Sequence, residues 1–163
     1  MSLVLDRNRL QLSGSEWVDV TIQLSDIQRR YLLKPELAAA SLRACFDRGH
    51  SDQKHFSEYI DIAVKLERWD DAVFGLLRSV SLIANPKEKS ERLRQLAAIY
   101  WLNFGDQELA KDAYDTALQL NPKSQSLLLE CGCFYAGSGH WHQGVKYLDS
   151  ALEKSGRLKK KDL

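Results

Sequence analysis

Two stretches of this chain superimpose at a spacing of 34 residues, and that period constrains the fold more than any other feature of the sequence. Gly105 falls on Gly139, Ala117 on Ala151, and Leu118 on Leu152; Ala110 meets Gly144, Tyr114 meets Leu148, and Trp101 meets Tyr135. Small residues coincide with small ones and large apolar residues with large ones. A period of this length marks a stack of supersecondary units, because one unit cannot bury its own apolar face and must be covered by a neighbour.

Each unit reads as two amphipathic helices. "SERLRQLAAIYWLNFG" carries Leu93, Leu96, Ala97, Tyr100 and Trp101 at helical spacing, with Ser90 as the expected cap and Gly105 as the stop. Asp106 is placed to cap "QELAKDAYDTALQL", and Asn121-Pro122 closes it, since the residue before a proline disfavours the helical region. Ser124 opens a third helix that ends near Gly139, and "HQGVKYLDSALEKS" forms a fourth.

With Ala110, Tyr114, Ala117 and Pro122 at these intervals, the chain resembles the tetratricopeptide-repeat family, whose unit is a 34-residue helix–turn–helix. An earlier unit is visible in "FSEYIDIAVKLERWDDAVFGLLRSVSLIANP", where Ala72 and Leu76 supply the small and large positions. Ala72 and Ala110 are 38 residues apart, so "KEKS" is expected as an insertion in the turn between hairpins. The resemblance implies an all-α fold, a right-handed stack of antiparallel helix hairpins. About three repeats are expected, near 53–88, 91–124 and 125–156, after an N-terminal helical extension or degenerate hairpin over 1–50 and before a basic tail, 157–163. Residues 1–14 show no useful periodicity. Over 16–24, Val18, Val20, Ile22 and Leu24 alternate like a strand, whereas Trp17, Val20, Leu24, Ile27 and Tyr31 keep a helical spacing. A lone strand has no sheet to join here, so helix is favoured.

The stretch "ECGCFYAGSGHWHQG" gathers two cysteines and two histidines, but the repeat phase dissolves it as a metal site. Cys131 and Cys133 lie about 200° apart around a helix axis, and neither pair has usual zinc spacing. Cys131 is expected in the core and Cys133 on the open side. "DRGHSD" and "DQKHFSE" read as helix caps. No phosphate loop or nucleophile elbow appears, so neither catalysis nor a metal or other cofactor is expected.

Charge narrows the partners. With 23 basic and 22 acidic residues there is no global footprint for nucleic acid or an anionic membrane. No apolar run approaches the roughly 18 residues of a membrane span, the N-terminal "LVL" is too short for a signal core, and three cysteines form no disulfide framework. The reading is of a cytoplasmic protein.

What the resemblance implies about function is a groove lined by the first helix of each unit, where a partner peptide or helix binds. Carried onto this chain, its candidates are Val64 and Lys65, then Arg92, Gln95, Ile99, Leu102 and Asn103, then Leu129 and Cys133. Each side chain also fits a merely solvated face. Family members that hold acidic chaperone tails use a clamp of lysines, asparagines and an arginine; here those places hold Ser57, Asp61, Leu96, Ser126 and Glu130. Without cations a terminal carboxylate finds no charge-assisted bonds, and apolar anchors for a protein or peptide partner are expected instead. The chain therefore reads as an interaction scaffold, a small chaperone or adaptor. The alternative is self-association as a homodimer through the Val145, Leu148 and Leu152 side of the last helix.

Overall fold

The computed structural model describes residues 13–159. The first twelve residues, without a sequence signal, and the end of the basic tail, 160–163, lie outside the described residues. Every regular element among the described residues is helical: α1 (Gly14–Arg30), α2 (Pro35–Phe46), α3 (Gln53–Lys65), α4 (Trp69–Leu82), α5 (Pro86–Ile99), α6 (Gln107–Leu120), α7 (Gln125–Gly137) and α8 (Trp141–Lys159). A π-helical turn, Tyr100–Phe104, continues α5. The helices pair in order as four hairpins. The first two hairpins form one compact unit and the last two another, divided between Leu82 and Ile83.

Helix wins over strand for residues 16–24 because of a cap. The Ser13 hydroxyl accepts from the Glu16 backbone N–H, and the Ser13 N–H donates to the Glu16 carboxylate at 2.9 Å. That reciprocal box satisfies two of the helix's free N–H groups. The buried face is not the expected apolar stripe. It carries Trp17, Thr21, Ser25 and Gln28, while Ile27 and Tyr31 are exposed. Burial is tolerated because each polar group finds a partner: Thr21 Oγ1 donates to the Trp17 carbonyl, Ser25 Oγ to the Ile22 carbonyl, and Gln28 Oε1 accepts from Ser41 Oγ on α2 at 2.9 Å.

The repeat extends further upstream than the sequence pattern shows. The turns inside the hairpins hold Leu33, Glu67, Gly105 and Gly139, all at positive φ (50°, 55°, 68° and 82°). Counting from these turns, the buried small residues Ala38, Ala72, Ala110 and Gly144 recur in phase, as do Cys45, Ser79, Ala117 and Ala151. The α1–α2 hairpin obeys the same register, with a leucine and a cysteine where the last two hairpins use glycine and alanine.

"KEKS" does not interrupt a turn; it lengthens a helix. Asn85 is the cap of α5, its Oδ1 accepting from the N–H groups of Lys87 at 2.9 Å and Glu88 at 3.4 Å, and Pro86 takes the first helical position. Proline suits that position because its missing N–H has no intrahelical partner there. Ser90, expected as the cap, is instead buried one turn inside, where its Oγ donates to the Ala117 carbonyl at 2.9 Å. Asp106 and Ser124 cap α6 and α7 as expected.

In the first unit, Ala38, Ala39, Leu42, Phe46, Phe56, Tyr59 and Ile62 form one core, with Phe46 stacked on Phe56 at 4.1 Å. Tyr59 donates its hydroxyl to Asp71 at 2.7 Å, and Arg43 approaches the same carboxylate at 3.6 Å while lying 3.7 Å over the Phe74 ring. Burial, followed by the Asp71 hydrogen bond, pushes the Tyr59 phenol up to about 12. In the second unit Phe134 meets Trp101, Tyr114 and Tyr135 at centroid distances of 5.1–5.5 Å. The α7–α8 crossing is close: a Cβ on Gly144 would lie 2.9 Å from both the Ala136 nitrogen and the Gly132 oxygen. Because the obstacle is backbone, Gly144→Ala is expected to cost about 1–3 kcal/mol by overpacking, read from urea midpoints. Ser79→Ala, which removes a buried hydroxyl without a hydrogen-bond partner, is expected to raise stability by about 1 kcal/mol. An unchanged midpoint in both variants would contradict this packing.

Candidate functional site

The candidates divide between the two units. In the first, Val64 and Lys65 stand exposed at the C-terminal end of α3. In the second, the structure brings α5 and α7 together. Arg94 of α5 pairs with Glu130 of α7 and with Glu91 on its own helix, and Trp101 stands edge-on to Phe134. Beside this seam, Arg92 Nη1 donates to Gln95 Oε1 at 3.1 Å, and both residues are half-buried.

Exposed apolar groups stand on both of these segments. Leu102 is 68% exposed and Leu129 40%, with Asn103 and Cys133 also exposed. Ile99 lies buried. Leu102 and Asn103 project from the π turn, which ends where Gly105 turns left-handed and the Asp106 N–H bonds the Tyr100 carbonyl at 2.9 Å. Such wide turns concentrate at functional sites. Here the turn also presents Phe104, 46% exposed, which the sequence reading did not single out. Its only advance signal was the aromatic-rich "YWLNF" directly before a glycine.

The electrostatics of this side are closed internally. The hydrogen bond to Glu91 and the charge of Glu130 raise the Arg94 guanidinium against its desolvation, so this cation is already matched by protein carboxylates. Of the places where chaperone-binding relatives carry cations, Leu96 is buried, Asp61 is exposed, and Glu130 is held by Arg94, with its Oε2 buried and without a hydrogen-bond partner.

The cysteine–histidine stretch separates as its phase implies. Cys131 is fully buried, Cys133 is exposed, and His140 and His142 are exposed around the Gly139 turn. No group of three or more His, Cys, Asp or Glu side chains is arranged to hold a metal ion among the described residues. Burial pushes the Cys131 thiol up to about 12 and that of Cys45 to about 11. The thiolate is the reactive form, so one thiol of three is expected to react quickly with Ellman's reagent in the native protein. Cys133→Ser should remove that fast phase; its persistence would contradict this placement.

No known family profile matches the chain. Among curated proteins it is similar to the photosystem I assembly protein Ycf3 of two Prochlorococcus marinus strains: 30% identical over 95 residues in strain SARG and 34% over 91 residues in strain MIT 9303. Those matches cover 58% and 56% of this chain, and the chain spans about half the length of these relatives, 49% and 48%. Among solved structures it is similar to MamA, with a TM-score of 0.68 at 20% identity, covering 88% of this chain and 81% of that one. It is also similar to YrrB, described as a TPR protein with an unusual peptide-binding site, with a TM-score of 0.66 at 19% identity, covering 90% and 75%. These likenesses fix the fold as a helical repeat of the tetratricopeptide type. No helix among the described residues is long and apolar enough to cross a membrane.

Proposed function

We propose that this chain, whose fold is a helical repeat of the tetratricopeptide type, is a non-catalytic cytoplasmic scaffold that holds an apolar peptide or helix of a partner protein. The observation that carries the reading is the pair of exposed leucines, Leu102 and Leu129, on the adjoining helical segments of the second unit. A groove uses such side chains as anchors, because removing them from water supplies roughly 25 cal/mol for each Å² buried. Arg92, Gln95, Asn103 and Cys133 stand on the same segments and supply polar edges. Val64 and Lys65 offer a separate candidate patch on the first unit. The Ycf3 relatives are assembly proteins, which supports an adaptor or chaperone that holds a segment of another polypeptide while a complex forms.

Leu129→Glu, at an exposed position, is expected to keep the helical circular dichroism and melting profile while reducing partner capture at least ten-fold in a quantitative pull-down from the native host. A charged carboxylate in an apolar contact loses its hydration without gaining a partner. Equal capture by parent and variant would sink the groove reading.

A second reading, a homodimer through α8, rests on Trp141, 67% exposed, and Leu152, 64% exposed, with Val145 between them on that helix, whereas Leu148, expected on this side, is half-buried against Gly132. Multi-angle light scattering decides it. A dimer that Val145→Glu converts to monomer supports self-association, and a strict monomer at high concentration removes it.

A further inference from the structure

The turn from α2 into α3 reads in sequence as a pair of helix caps, and it does more than cap. Gly49, at φ 87°, reverses the chain after α2, and the His50 N–H returns to the Cys45 carbonyl at 3.1 Å. The His50 ring then lies parallel to Phe46, 6.3 Å away with an interplanar angle of 8°. His55 sits in the first turn of α3, its N–H bonded to Asp52 Oδ1 at 3.2 Å. These two backbone anchors aim His50 Nε2 at His55 Nδ1, 2.9 Å apart, with both residues half-buried.

Two imidazole nitrogens so close face one point in space. Without an ion, one must carry a proton and the other must accept it. With each ring's proton on its outer nitrogen, both inner nitrogens are free to bind one metal ion set beside the line that joins them. Metal–imidazole bonds are about 2.0–2.1 Å, so tetrahedral bonding needs the nitrogens only a few tenths of an ångström further apart. Asp52 Oδ1 lies 3.4 Å from His55 Nδ1 and adds negative potential. A pocket of about 110 Å³ borders His50, lined also by Phe46, Phe56, Ser51, Ser81 and Arg78, and gives room for water on the ion.

We propose that His50 and His55 form a two-imidazole site for one divalent ion of the zinc, nickel and copper class. Among the described residues no third His, Cys, Asp or Glu joins them as a ligand, so water completes the shell. Imidazole selects these ions over magnesium or calcium, which require oxygen ligands. The charges facing the pair are those of Asp52 and Asp19, which favour the cation, and Arg78 at the pocket, which opposes it. The site shares no residue with the groove candidates, and its test is independent of theirs.

Zinc chloride titrated into the full chain, followed by calorimetry and by the ring signals of the four histidines in NMR, tests the proposal. One equivalent should bind, shifting the His50 and His55 rings while leaving those of His140 and His142 in place. His50→Gln and His55→Gln should each weaken binding roughly ten-fold or more, the scale on which disturbing a metal ligand's surroundings acts. A His140→Gln/His142→Gln double variant should bind as the parent does. The proposal is overturned by absent heat, by ring shifts confined to His140 and His142, or by equal binding in the His50→Gln/His55→Gln double variant. The NMR arm needs no variant, so it stands even if a substitution unfolds the turn.

Discussion

At Gly144 the backbone of α8 passes α7 with no room for a Cβ: the Ala136 nitrogen and the Gly132 oxygen would each be 2.9 Å from it. Each hairpin keeps a small residue at this place. Ala38, Ala72 and Ala110 hold the equivalent place in the other three, all buried. Because the two helices approach so closely, the large residues fit beside the crossing rather than through it. Leu148 lies against Gly132, and Ile60 and Tyr59 lie against Gly75. The apolar area removed from water there, rather than helix propensity, stabilises helices of only 12–17 residues such as α1 to α7.

Polar ties then set the angle and register that close packing alone leaves loose. Tyr59 joins the two helices of one hairpin through Asp71, whereas Tyr135 joins adjacent hairpins through Asp115 on α6. Ser90 reaches the Ala117 carbonyl across 27 residues. Burial pushes these phenols upward, so they stay protonated and act as donors toward their carboxylates. The same internal pairing governs the open side of the second unit, where Arg94 is occupied by Glu91 and Glu130 and leaves the exposed leucines as the distinguishing chemistry.

Much of this was legible because it is periodic. Ala110, Tyr114 and Ala117 carry their spacing openly, and Asp106 and Ser124 stand where caps must stand. The α1–α2 hairpin was harder to read: Leu33 adopts the positive φ that glycine takes in the last two hairpins, and Cys45 takes the place of a small alanine. The buried face of α1 ran against expectation because Thr21, Ser25 and Gln28 satisfy their polarity internally. Asn85-Pro86 stops one helix in sequence logic and starts the next in the structure. Among the groove candidates, Arg92 and Gln95 were carried over from the resemblance, and the structure shows them half-buried and hydrogen-bonded to each other. The Arg94–Glu130 pairing joins residues 36 positions apart and leaves no local trace. The His50–His55 contact is hidden in the sequence because each residue, taken alone, sits inside an ordinary cap.

The hairpin order also bears on how the chain acquires its structure. Each helix packs chiefly on its neighbour in sequence, so little loop entropy must be surrendered before contacts form. A hairpin emerging from the ribosome meets its packing partner within a few tens of residues. The contacts of the α1–α2 pair are therefore available while α8 has yet to be synthesised.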